Sequence, residues 1–375
     1  MMFSHLSHAI SLRDYDKAPR SGSHLSKVVK KIEKEDLHKN LLSFIKNSRP
    51  SRMITSKGHK SAREYIVKYI NSKTNKSGQV SIDSFSPDFP ELIDSYKLKL
   101  SKIKASLEAN KSKDQSKDKE LLKVQNFTKS SIDFFKKSQG LKGHNIVWEK
   151  TGSDKPDEYL ILGANYDTMN IDQLSYELKP DSKQPGADNN GSGVSVLLSL
   201  IELLSELELK RSIMIVFFDF GEVGQLGLKS FYNKYIDDNK SKKIKAYFHL
   251  KMLGHDSKIN DKKKRYGNML AYTSHNSQKL FEKESSILKE FYKYARFINK
   301  RVRFDQSTKD FIYPDSSYFR RADIPTIIFS QDIENDYNKK RINTENDFPE
   351  TLNIKTLYAS YKYLAQATSH WLLDL

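Results

Sequence analysis

The chain has 375 residues, a formal net charge of +17 from 64 Lys and Arg against 47 Asp and Glu, and no cysteine. This length is enough for one large domain or two smaller ones with a sizeable core. The lack of cysteine excludes disulfides, thiolate zinc sites and cysteine nucleophiles. The positive charge is compatible with binding of an anionic polymer. The lysines are spread along the whole chain, however, which favours an ordinary lysine-rich surface.

The first 25 residues are polar and contain Gly, Ser and Pro, which indicates a loose leader. They lack the apolar segment of a signal peptide, so we expect a cytoplasmic protein, with export through an unusual signal left open. No apolar run approaches the length of a membrane span. Residues 26–375 are expected to form one α/β domain.

Two segments with helical spacing of apolar residues follow, and the second, residues 56–72, has Ser56 as a candidate N-cap. Residues 80–87 alternate like a strand. Residues 90–140 are rich in Lys, Ser and Glu and predict a charged helical insertion. It is either a partner-binding arm or a solvated helical hairpin, and we favour the hairpin.

From residue 143 onward, short β-branched and aromatic runs alternate with helical segments. The runs are HNIVWEKTG, EYLILGANYDT, IMIVFFDF, AYFHLKML and TIIFSQD, and the loop PGADNNGSG opens a strongly apolar helix. This alternation predicts βαβ units and a mostly parallel sheet that is buried on both faces. The functional site of such a sheet lies at the carboxyl ends of its strands. The polar groups expected there are Asn165, Asp167, Asp188, Glu222 and Lys251.

The motifs in this part of the chain resemble those of the co-catalytic zinc aminopeptidases, a family that includes glutaminyl cyclases and the peptidase-like domain of the transferrin receptor. The resemblance is carried by GANYDT, PGADNNGSGVSVLLSLIELL, FDFGEVGQLGLKSF, FHLKMLG, YPDSSYFRRADIPTIIF and RINTENDFPETLN, in that order. It implies a three-layer α/β/α sandwich around a twisted, mostly parallel mixed sheet. It also implies two zinc ions held by two histidines, two aspartates and a glutamate, with a second glutamate as general base.

The residues at these implied positions depart from the family pattern. In chain order, the five ligand positions hold Asn165, Asp188, Glu222, Lys251 and Asn343. By this alignment Asp188 corresponds to the bridging aspartate and Glu222 to the glutamate ligand, whereas amides replace both histidines. Gly221 stands where the general base belongs. Beside the site, Asp167 is retained, and a late Ser-Asp-His motif is replaced by Pro314, Asp315 and Ser316.

Lys251 stands where the family has an aspartate ligand. This exchange suggests that the lysine ammonium supplies the positive charge that the metal ions would otherwise provide. We expect Lys251 to pair with Asp188 and Glu222, whose carboxylates would otherwise repel each other. In the alternative, Lys251 extends to solvent and the carboxylates are ordinary loop residues. His249 and Asp219 each lie two residues before a site position and face the same way. We interpret His249 as a packed residue, and we do not expect Asp219 to replace the base.

These substitutions favour a metal-free, catalytically inactive member of the family that has no cofactor and binds a peptide or protein partner in the former substrate cleft. The alternative is an active zinc-dependent aminopeptidase that uses Asp188, Glu222 and an unrecognised histidine. A third hypothesis is binding of an anionic polymer through the lysine-rich residues 90–140.

Overall fold

The computed structural model describes residues 22–375 apart from 76, 110–114, 238–240, 258–267, 275, 296–304 and 310–316. Within these residues the helices are α1 Gly22–Val29, α2 Lys34–Asn47, α3 Lys57–Lys73, α4 Phe89–Ala109, α5 Gln115–Lys137, α6 Gly193–Ser205, α7 Leu226–Tyr232, α8 Gln278–Ala295, α9 Ser317–Arg321 and α10 Ile354–Leu372. The strands are β1 Gln79–Phe85, β2 Gly143–Lys150, β3 Lys155–Asn165, β4 Arg211–Phe218, β5 Lys243–Leu250, β6 Met269–Tyr272, β7 Asp305–Ser307 and β8 Thr326–Gln331. Most of the predicted leader, together with Pro314, Asp315 and Ser316, lies outside the described residues.

The strands form one mixed sheet in the order β1-β2-β4-β3-β5-β8-β6-β7. The central strands β4, β3, β5 and β8 are parallel, whereas β1 and β2 are antiparallel additions at one edge. At the other edge β6 runs antiparallel to β8 and parallel to β7. The predicted strands are therefore confirmed, and the short β6 and β7 were not predicted.

Helices cover both faces of this sheet because successive strand residues are apolar on both sides. In β3, Leu160 and Leu162 pack in the large core formed with α1, α2, α3, α6, α8 and α10. Tyr159 and Ile161 face the opposite core, which contains residues of α7 and α9. The three-layer α/β/α sandwich is confirmed. The described helices include none that is both long enough and apolar enough to cross a membrane.

The segments before the main sheet also fold as predicted, with one correction. The Ser56 hydroxyl caps α3 by accepting a hydrogen bond from the His59 N–H at 3.1 Å. Residues 89–109 and 115–137 are helical, but they are not simply a solvated hairpin. One face of the helix pair packs aromatic and aliphatic side chains into a third core, which lies beside the carboxyl ends of the central strands. The buried residues of these helices in this core are Phe89, Leu92, Ile93, Phe134 and Phe135.

Candidate functional site

The predicted site residues meet around Glu222, which lies in the loop after β4. Its Oε1 accepts hydrogen bonds from Lys251 Nζ at 3.0 Å, Asn189 Nδ2 at 3.1 Å and Asn165 Nδ2 at 3.3 Å. The side chains of Lys251 and Glu222 are only 1% and 3% exposed. The pairing of Lys251 with Glu222 is confirmed, and the alternative of a solvent-facing Lys251 is wrong. Asn343 joins the group because its Oδ1 accepts from Asn189 Nδ2 at 2.8 Å.

Asp188 does not belong to this cluster, which corrects the sequence prediction. Its Oδ1 accepts from the Gly254 N–H at 3.0 Å, and its Oδ2 accepts from Asn338 Nδ2 at 2.9 Å and Gln331 Nε2 at 3.3 Å. The predicted contact with Lys251 is therefore wrong. Burial raises the pKa of Asp188, and these hydrogen bonds act in the opposite direction.

The next residue, Asn189, is the one that faces Glu222. Asp188 and Asn189 are consecutive in the irregular turn Ala187–Ser192 that precedes α6, and their side chains contact different groups. The sequence analysis aligned Asp188 in ADNNGSG with the bridging aspartate of the family, whereas in the structure the next residue, Asn189, contacts Glu222 and Asn343. Among the described residues, the side chains that form the cluster are therefore Asn165, Asn189, Glu222, Lys251 and Asn343.

Gly221 is packed so closely that a side chain has no room. A Cβ atom at this residue would lie 2.2 Å from the Cβ of Asn165 and 3.1 Å from Asp167 Oδ1. A contact of 2.2 Å between carbon atoms is far inside their usual separation of about 3.5–4.0 Å. Because the Cβ of Asn165 is fixed to the end of β3, the backbone would have to move to accept any other residue here.

Two buried aspartates hold the loops of the site through backbone N–H groups. Asp167 accepts from the N–H groups of Gly221 and Glu222, both at 2.9 Å. Asp347 accepts from the N–H groups of the two turn residues 188 and 189, again at 2.9 Å. Burial, and then the charge of Glu222, raise the pKa of Asp167 to about 7. Burial, and then the charge of Asp188, raise the pKa of Asp347 to about 7. Sequence analysis did not identify Asp347.

Arg52 is a second residue that the sequence did not reveal. It is fully buried and donates to the carbonyl oxygens of Tyr166 at 2.7 Å, Pro185 at 2.6 Å and Gly186 at 2.8 Å. Burial lowers its pKa to about 10, so the guanidinium stays charged at neutral pH. It ties the segment after β3 to the segment that leads into the turn Ala187–Ser192.

Asp219 and His249 have structural partners of their own. Asp219 Oδ1 lies 2.6 Å from His59 Nε2, and Asp219 Oδ2 accepts from the His144 N–H at 2.8 Å. Burial lowers the pKa of His59, but the Asp219 charge and hydrogen bond outweigh it and the net shift is upward. His249 is 2% exposed, with its Nδ1 2.7 Å from the hydroxyl of Tyr247. The interpretation of His249 as a packed residue is confirmed.

A cavity of about 330 Å³ opens above this cluster. Its floor includes Gly221, Glu222 and Asn343, and its walls include Tyr96 from α4 and Phe127 from α5. Burial, and then the charge of Glu222, raise the pKa of Tyr96 to about 12. The lysine-rich insertion therefore supplies one wall of the cleft, which its charge pattern did not predict.

These side chains do not fit the two zinc ions that the family resemblance implies. Across the described residues, no three His, Cys, Asp or Glu side chains lie close enough together to hold a metal ion. Zinc in proteins is bound by thiolate, imidazole and carboxylate. The cluster offers one carboxylate, three amides and an ammonium group, and the ammonium already pairs with the carboxylate.

Comparison with known proteins places the chain beside peptidases. A probable zinc metalloprotease of Pyrenophora tritici-repentis is 33% identical over 116 residues, which are 31% of this chain and 25% of that protein. A probable aminopeptidase of Saccharomyces cerevisiae, YDR415C, is 29% identical over 127 residues, 32% of each chain. The match thus spans about a quarter to a third of the length of these curated relatives.

Solved structures share the fold at low sequence identity. The LapA aminopeptidase of Legionella pneumophila matches with a TM-score of 0.63 and 16% identity, over 96% of this chain and 78% of that one. A glutaminyl cyclase of Bacteroides thetaiotaomicron, bound to N-acetylhistamine, matches with a TM-score of 0.59 and 16% identity, over 90% and 97% of the chains. The model of "Peptidase family M28" matches residues 145–368, more than half of the sequence. The chain therefore belongs to peptidase family M28.

Proposed function

We propose that this chain is an M28 member that does not hydrolyse peptides and that uses its strand-end cleft to bind a peptide or protein partner. The observation that carries the proposal is the Lys251–Glu222 ion pair, 3.0 Å long and almost fully buried, at the centre of the implied metal site. An ammonium group at this place repels a divalent cation and occupies the one carboxylate of the cluster.

The packing at Gly221 supports the same conclusion independently. A general base must reach the proton that it abstracts, directly or through one water. Gly221 has no side chain, and the Cβ of Asn165 fills the space that a replacement would need. Within the described residues, both the ligand set and the residue at the general-base position therefore differ from those of the family mechanism, which supports the proposal.

The test is calorimetric titration of zinc into chelator-stripped protein, combined with assays on a panel of aminoacyl substrates. We expect no stoichiometric zinc binding and no release of N-terminal residues. A matched positive control restores the family's ligands with Asn165→His, Asn189→Asp, Lys251→Asp and Asn343→His, and should acquire zinc affinity.

The competing hypothesis is an active zinc aminopeptidase with an atypical ligand set. Submicromolar stoichiometric zinc binding by the unmodified chain, with zinc-dependent hydrolysis, would establish it and refute the proposal. In the structure Asp188 and Glu222, the two carboxylates that this hypothesis assigned to one ion, bind different groups.

Binding of an anionic polymer is the second candidate, favoured by the exposed lysines of α4, which include Lys97, Lys99 and Lys102. Its signature is an affinity that falls steeply with salt. Deleting α4 and α5 would expose the third core, so the suitable variant changes these three lysines to glutamine. Loss of polymer binding in that variant would support this function.

A further inference from the structure

The floor of the cleft presents a hydrogen-bond acceptor and a hydrogen-bond donor, on neighbouring side chains, that no described residue uses. Glu222 Oε1 accepts three hydrogen bonds, whereas its Oε2 accepts none from the part of the chain that the structure describes. Asn343 Oδ1 accepts from Asn189, whereas Asn343 Nδ2 donates to none of the described residues. Both residues line the 330 Å³ cavity.

The two unused groups belong to neighbouring side chains. One nitrogen, Asn189 Nδ2, donates to Glu222 at 3.1 Å and to Asn343 at 2.8 Å. The carboxylate and the amide therefore lie side by side. An acceptor and a donor on neighbouring side chains match one N–H and the C=O of a primary carboxamide, which point to the same side of that group.

The charges around this floor disfavour a charged ligand. The Glu222 carboxylate is already paired with Lys251, and both oxygens of Asp167 bind backbone N–H groups. Lys99 adds a positive charge in the wall. An incoming ammonium would lose its hydration to meet a carboxylate that is already neutralised, and an incoming carboxylate would meet Glu222 Oε2.

The walls are suited to an apolar group of modest size. Tyr96, Phe127 and Tyr318 supply aromatic surface, and Met169 and Ile171 supply aliphatic surface. A volume of 330 Å³ is at the lower end of small-molecule sites, which span about 300–1,000 Å³. It fits one aromatic amino-acid residue with its flanking amides.

We propose that the cleft binds an uncharged carboxamide carried on an apolar or aromatic group, with the ligand N–H on Glu222 Oε2 and the ligand C=O on Asn343 Nδ2. This inference rests on the proposed function, because both depend on the Lys251–Glu222 pair. The pair opposes metal binding, and it also balances the charge of Glu222 at the floor of the cleft. The inferred binding differs from recognition of a free peptide N-terminus, which requires an unpaired negative charge.

The experiment compares three ligands that share one aromatic group, by calorimetry on the full chain at about pH 6, where an α-amine is protonated. They are N-acetyl-L-phenylalaninamide, which is uncharged, L-phenylalaninamide, which is a cation, and N-acetyl-L-phenylalanine, which is an anion. We expect the uncharged ligand to bind about ten-fold more tightly than either charged one, because a buried charge without a partner is costly.

Three variants make the test specific. Asn343→Asp removes the donor, keeps the oxygen that accepts from Asn189, and adds a negative charge, so the preference should reverse in favour of the cation. Aspartate also tolerates the left-handed backbone at residue 343, where φ is 56°. Phe127→Ala should weaken all three ligands. Leu98→Ala, on the exposed side of α4, should change none.

Equal or tighter binding of L-phenylalaninamide, or no binding of any of the three ligands at millimolar concentration, would overturn the proposal. The proposed function fails in a different way, through tight zinc binding and hydrolysis of L-phenylalaninamide to phenylalanine. Chromatography of the calorimetry samples detects that product directly, so the two failures are distinguishable.

Discussion

Replacing Lys251 with methionine is the most direct perturbation of the site, because it removes the ammonium and keeps a side chain of similar length. Glu222 would then be a carboxylate, 3% exposed, whose remaining side-chain donors among the described residues are the amides of Asn165 and Asn189. Breaking a buried ion pair by removing one partner typically costs about 3–5 kcal/mol. Because two amides still donate to Glu222, we expect a loss near the lower limit, about 3 kcal/mol of the free energy of unfolding.

Urea unfolding of the variant and the unmodified chain measures this loss. The matched control is Lys73→Met, which breaks the Lys73–Glu202 pair, 2.7 Å long but 44% and 21% exposed; this should cost less than about 1 kcal/mol. The double variant Lys251→Met with Glu222→Gln should recover most of the loss, because residue 222 then carries no charge that needs the ammonium. A loss below about 1 kcal/mol in Lys251→Met would show that the pair does not replace the metal charge.

Three further predictions concern the surroundings of the site. Gly221→Ala should lower the free energy of unfolding by about 1–3 kcal/mol, because its Cβ overlaps Asn165; unchanged urea stability would contradict the close packing. Asp347→Ala should cost about 2–5 kcal/mol, because it leaves two N–H groups of the turn 187–192 without acceptors, and Asp347→Asn should cost less. His59→Gln should cost more at about pH 5.5 than at about pH 9. The pKa of His59 is raised in the folded state, so the stabilisation from its protonated form is complete below the unfolded pKa of about 6.5 and disappears as the pH rises through the folded pKa. A cost of His59→Gln that grows with pH would contradict this direction of the pKa shift.

The sequence determined much of the fold because the central strands are apolar on both faces. Long runs such as Arg211–Phe218 are buried almost throughout, so their strand character is visible without any partner. The strands Met269–Tyr272 and Asp305–Ser307 have only four and three residues, and they depend on pairing with β8 and with each other. The helices α4 and α5 were predicted, but a lysine-rich pattern does not specify which surface their apolar face covers.

At the site, the sequence correctly predicted that Lys251 pairs with Glu222, because both residues lie shortly after the end of a strand. Lys251 follows β5 and Glu222 lies in the loop after β4. These two strands flank β3 and run parallel to it, so their carboxyl ends lie at the same edge of the sheet and bring the two residues together. Whether Asp188 or Asn189 faces Glu222 depends on the backbone of the irregular turn Ala187–Ser192. The sequence of such a turn shows no periodicity from which side-chain directions could be predicted. Arg52 and Asp347 were missed because they bind backbone groups, and such partners leave no motif in the sequence.

The backbone partners explain how the site keeps its shape with an altered set of side chains. Asp167 accepts from N–H groups in the loop of Glu222, and Asp347 accepts from N–H groups in the turn 187–192. Arg52 donates to the main-chain carbonyls of residues 166 and 186, and so joins the segment after β3 to the segment before the turn. Main-chain groups do not change when a ligand side chain is substituted. The positions of the loops are therefore independent of whether the centre holds a metal ion or the Lys251 ammonium. By this reasoning, Lys251→Met should lower stability while leaving the backbone of these loops in place.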